Sequence, residues 1–61
     1  MRFAEFKQND GCCVFINADS VQVICEANRD PERTYVYIIG RDLAVLVEGS
    51  MSDVRTKLEH A

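Results

Sequence analysis

Cys12, Cys13, Cys25 and His60 are the side chains of this chain best suited to a zinc site or to thiol chemistry. A Cys₃His set binds zinc when four ligands converge in a tetrahedron. The spacing here opposes that. Adjacent residues on a strand point to opposite faces, so Cys12 and Cys13 do not readily share one metal, and no CxxC pair exists. A reactive thiol needs a lowered pKa, and no basic residue adjoins any of the three in sequence. The count of three also does not suit a paired disulfide framework. The expectation is therefore buried or half-buried free thiols acting as small hydrophobes, with no metal and no cofactor. His60, second from the last residue, reads as a solvated side chain near a helix C-terminus.

Catalytic arrangements are equally sparse. Asp19 and Ser20 sit together, but His60 has no motif that pairs it with them, so corner-holding hydrogen bonds are expected instead. Asp10, Glu48 and Glu59 show no paired-carboxylate spacing. A non-enzymatic protein is expected. Tyr35 and Tyr37, with Arg29, Arg33 and Arg41, sketch another chemistry: a stacking platform flanked by cations for single-stranded nucleic acid. Against it stands a net charge of −3, and each arginine has Asp30, Glu32 or Asp42 close by. Tyrosines at a sheet surface serve more often as core or interface residues. Nucleic-acid binding stays the rival reading, and a thiol-based metal or redox site a second one.

Those residues must be carried by a small scaffold. Sixty-one residues make one domain, residues 1–61, and a chain this short buries only about 60% of its unfolded surface. It needs very good packing or a partner. The hydrophobic share of 48% against 28% charged excludes a disordered tail. No run approaches a membrane span, and MRFAEFKQND lacks the apolar stretch of a secretory leader, so a cytoplasmic protein without membrane insertion is expected.

The densest apolar stretch is Thr34–Val47, TYVYIIGRDLAVLV, which reads as two strands folded about Gly40-Arg41, with Gly in the first turn position. Period-two alternation sets Thr34, Val36 and Ile38 on one face and Tyr35, Tyr37 and Ile39 on the other. Upstream, strands are expected at about 1–7, 12–17 and 21–28, separated by the Asp10-Gly11 turn and the Asn17–Ser20 corner. A polar loop holding Pro31 leads to strands at about 33–39 and 42–48. From Ser50 the period becomes helical. Ser50 caps a helix of about 51–60 whose stripe is Met51, Val54, Leu58 and Ala61, with Asp53 and Lys57 as an i,i+4 pair. The expected fold is α+β: a five-stranded, mostly antiparallel sheet, built as a meander of hairpins, with one C-terminal helix.

The order of Gly11, Ile16-Asn17, Asp19, Val21, Thr34, Val36, Gly40, Leu43, Val45, Val47-Glu48, Ser50, Val54 and Leu58 resembles that of the small FlbD-type proteins of bacterial flagellar gene clusters. The likeness spans Gly11 to Leu58; cysteines in the second strand, a longer central loop and Gly49 are departures from it. It implies a small, non-enzymatic bacterial accessory protein. The residues themselves imply something more physical. Both faces of the central hairpin are apolar, and one short helix covers only one face. The leftover face, with some of Tyr35, Tyr37, Phe15 and Ile24, calls for a partner, and a like subunit forming a dimer is expected. The expected contact residues are Phe15, Tyr35, Tyr37 and Ile39.

Overall fold

In a computed structural model, which describes residues 2–61, the strands do not form one sheet. Strands β1 (Phe3–Lys7) and β2 (Cys13–Asn17) make an antiparallel hairpin. Strands β3 (Val21–Ala27), β4 (Asp30–Ile38) and β5 (Val45–Glu48) make a separate antiparallel sheet in the order β3-β4-β5. Among the described residues a single bridge, Gln8 to Val47, links the two. The helix α1 (Met51–Glu59) follows β5. The expected five-stranded sheet is thus divided, and the Asn17–Ser20 corner explains why. Ala18–Ser20 is a 3-10 turn capped by the Asn17 side chain, which accepts the Asp19 N–H at 3.0 Å. Ala18 N–H donates to the Arg2 carbonyl. Beyond this corner β3 pairs onward with β4 instead of back onto β2. Of the first expected strand, Met1 lies outside the described residues.

The core lies between the layers. Ala4 and Phe6 of β1, Ile16 of β2, Val36 of β4, Val45 and Val47 of β5 and Val54 of α1 form one buried cluster. The hairpin's inner face and the helix together cover the inner face of the three-stranded sheet. Ile24, opposite Val36, packs half-buried against this cluster, so it does not belong to the leftover face. Along α1, Val54 is buried and Leu58 half-buried, but Met51 is exposed, the stripe reaching the core only from the second turn. Ser50 is the cap, its side chain accepting the Asp53 N–H at 3.2 Å. The expected Asp53–Lys57 pair is replaced. Lys57 donates to the Glu5 carbonyl at 2.9 Å and lies 5.2 Å from the Phe6 ring centre, while Arg55 pairs with Glu59 at 3.3 Å.

Two connections differ from expectation. The polar loop before β4 contracts to a two-residue turn, Asn28-Arg29, with φ of 33° and 68°. Both being positive, it is a turn of the kind whose twist suits a hairpin. Pro31–Arg33 then bulge from the ladder between the pairs Ala27–Asp30 and Glu26–Thr34, where the missing N–H of Pro31 breaks no bond to β3. At the other end, Thr34 faces Val47 and Val36 faces Val45, the register a two-residue Gly40-Arg41 loop dictates. The pairing stops there, however. Gly40, with φ of 84°, is the third residue of a turn closed by Arg41 N–H to the Ile38 carbonyl. That turn does not carry the strand twist. Asp42–Ala44 stay outside the ladder, β5 begins only at Val45, and Leu43 is exposed.

Candidate interaction surface

The sheet alternation that buries Val36 beneath the helix turns its neighbours outward. Tyr35 and Tyr37 of β4 lie on the outer face, beside Cys25 and Val23 of β3 in the pairs Cys25–Tyr35 and Val23–Tyr37. Leu46 of β5 flanks Tyr35 from the other side. Among the described residues, no element packs over this face. Tyr37 is 41% exposed and Val23 51%, on the part of the sheet where β3 and β4 pair without β5. The Tyr35 hydroxyl accepts a hydrogen bond from the Asn28 side chain at 3.2 Å, which fixes that ring at the turn end. The charge on Cys25, with lesser effects of burial and hydrogen bonding, pushes the Tyr37 phenol above its ordinary pKa. The face carries no lysine, arginine or acidic side chain other than the Arg33–Glu48 cross-strand pair at its end.

Ile39 continues the row of Tyr35 and Tyr37 just past the end of β4 and is 63% exposed. Phe15, 65% exposed, is elsewhere: it stands on the outer face of the hairpin with Phe3 and Cys13. The four expected contact residues are thus split between two sheets, three around β4 and one on β2. Sequence reasoning did not single out Val23, Cys25 and Leu46, which complete the larger patch. Alternation within each strand does not reveal the strand pairing that assembles them.

The arginines do not converge. Arg29 sits at the β3–β4 turn, and Arg33 nearby pairs with Asp30 at 3.5 Å. Arg41 is at the opposite end of β4, on the order of 20–25 Å away along an extended strand. Asp19 is bound by the Arg2 guanidinium at 3.0 Å, which also donates to the carbonyls of Leu58 and Ala61, so it holds the corner against the helix end. His60 is exposed at the C-terminal cap of α1.

The thiols are dispersed. Cys12 and Cys13 are exposed and Cys25 is half-buried, and no group of three or more metal-ligating side chains forms among the described residues. The charge of Asp10 pushes the Cys12 thiol above its ordinary pKa, aided by a hydrogen bond and by Cys13; the same carboxylate accepts the Cys12 backbone N–H at 2.9 Å. The thiolate is the nucleophile, so the Asp10 charge disfavours the reactive form of Cys12. Replacing Asp10 with Asn removes the opposing charge, lowers that pKa and enlarges the thiolate fraction. Alkylation of Cys12 by iodoacetamide at pH 7, followed by peptide mapping, should become faster in Asp10→Asn. An unchanged rate would mean that the carboxylate does not face the thiol.

No protein-family model, curated protein or solved structure matches this chain. No helix among the described residues is long and apolar enough to cross a membrane.

Proposed function

We propose that this chain is a small, non-enzymatic interaction module that associates with copies of itself through the outer face of the β3-β4-β5 sheet, in a cytoplasmic accessory or regulatory role of the kind its FlbD-type resemblance implies. The observation that carries this reading is the uncovered patch of Val23, Tyr35, Tyr37 and Leu46, extended by Ile39 beyond the end of β4. Exposed apolar patches on small proteins mark contact sites, because water gives up such surface readily. A central aromatic with a polar tip suits an interface in particular.

Sedimentation at micromolar concentration is expected to show a dimer or larger species. Tyr37→Asp places a charge at the middle of the patch and should raise the dissociation constant about 30-fold, the effect of losing an anchor worth ~2 kcal/mol. Because Tyr37 faces outward, the far-ultraviolet circular dichroism should stay unchanged. Wild-type protein that sediments as a monomer at all concentrations ends this reading.

A further inference from the structure

We propose that the free edge of β3 is a second self-association surface, on which β3 of another copy pairs antiparallel about a two-fold axis at Ile24, joining two three-stranded sheets into one. The inference rests on the self-association proposed above but uses backbone at the sheet edge instead of side chains on its face.

Among the described residues β3 is hydrogen-bonded to β4 alone, whereas β5 has β4 on one side and the Gln8 bridge on the other. At seven residues, VQVICEA, β3 is longer than β2, the end strand of the hairpin. Edge strands are usually blunted by lysine, proline or shortness, since their unpaired N–H and C=O groups template further pairing. β3 has no proline and no basic residue. Its one irregularity near the start lies between Val21 and Val23, leaving Val23–Glu26 in regular register. A groove of about 250 Å³ runs beside the first half of the strand, floored by Ala18, Val21, Ile24 and Leu58. No described residue fills it, which leaves the edge open to an approaching chain there. Charges bordering the groove are of mixed sign, Arg2 and Arg55 with Glu59, so a second copy meets no single-sign field.

The occupant is argued from the strand's own order of residues. Within the regular stretch, pairing centred on Ile24 sets Ile24 against Ile24 and Val23 against Cys25, and it brings Gln22, at the irregularity, beside Glu26. Every apolar residue of that stretch meets an apolar one. The single charge of the strand, Glu26, meets an amide that donates to it, twice in the symmetric pair. Moving the centre to Cys25 would oppose Glu26 with Ile24. Moving it to Val23 would run Glu26 onto Ser20 in the corner. A slip of one residue turns the two core faces to opposite sides. A two-fold contact of this kind is self-limiting, since it consumes the same edge on both copies.

The test uses full-length protein carrying Cys12→Ser and Cys13→Ser, both exposed positions. Adding Val23→Cys and oxidising with oxidised glutathione should give a covalent dimer. Peptide mapping should place its disulfide between residue 23 of one copy and Cys25 of the other, with no dimer when Val23 is retained. In a separate series, Gln22→Glu puts carboxylates opposite each other and should raise the dissociation constant about five- to tenfold at low salt, the Glu26→Gln change in the same chain restoring it. An oligomer that Tyr37→Asp weakens, but that gives no 23–25 link and ignores Gln22→Glu, overturns edge pairing and leaves the outer-face reading standing. The link and the charge rescue together, with no effect of Tyr37→Asp, keep edge pairing and remove the outer-face reading. A monomer without the link removes both.

Discussion

Phe6→Ala is expected to remove a large share of the folding free energy at 25 °C. Phe6 is 2% exposed and sits where β1, α1 and β5 meet, with the Lys57 ammonium 5.2 Å from its ring centre. Removing a buried phenylalanine ring costs about 3–5 kcal/mol, because the site collapses only in part. A domain of 61 residues has in total about 3–9 kcal/mol of stability. The loss is therefore comparable with the whole. The lost cation–π contact adds about 0.5–1 kcal/mol in the same direction. In urea titration followed by circular dichroism, the folded baseline should be short or absent for Phe6→Ala. Phe15→Ala, at a 65% exposed position, should shift stability by less than about 0.5 kcal/mol. Equal effects at the two sites would mean that the hairpin does not pack by its Phe6 face.

Gly49→Ala should cost about 1–3 kcal/mol, although a methyl group fits the space. A Cβ there would lie 3.7 Å from Asp53 Cβ and from Val54 Cγ2, ordinary contact distances. The obstacle is backbone: Gly49 has φ of 118°, a region that L side chains rarely adopt. It is also held in place. Its N–H donates to the Glu32 carbonyl at 2.6 Å, and its carbonyl accepts from the Thr34 hydroxyl at 2.9 Å. Rotation to relieve the strain would strip the fully buried Thr34 of its partner. Gly40, with φ of 84°, lies in an exposed turn where an added Cβ would meet no atom within 4 Å. Gly40→Ala should therefore be the milder change, since that turn is free to relax. The denaturation midpoints of the two variants give the comparison, and a larger loss at Gly40 would contradict it.

Much of the local structure was legible because it depends on neighbours in sequence. Ser50 caps the helix, Val14 and Ile16 share a face, and Thr34 and Val36 lie opposite Tyr35 and Tyr37, as alternation and capping chemistry require. The division into two sheets was not legible. Period two says which face a side chain occupies, not which strand its backbone chooses, and a 3-10 corner of three residues decided that choice. The early end of the β4–β5 ladder has the same character. Leu43 looked like a strand residue by type, yet the turn that places Gly40 third leaves it bare. Of the candidate surface, the Tyr35-Tyr37-Ile39 row was readable from one strand. Val23, Cys25 and Leu46 join it through long-range pairing. Arg29, Arg33 and Arg41 looked interchangeable by composition, and only the run of β4 separates Arg41 from the others.

The joint at Thr34, Glu32 and Gly49 has a consequence for how the molecule opens. Two hydrogen bonds tie the entry of the helix to β4 itself, so the helix does not undock by swinging on a loose tether. Releasing it strains the central strand. Amide protons of Val36, Val47 and Val54 should then exchange with solvent deuterium at closely matched protection, as one cooperative unit. The Asn9–Gly11 hairpin tip, fastened to nothing in that unit, should exchange far sooner.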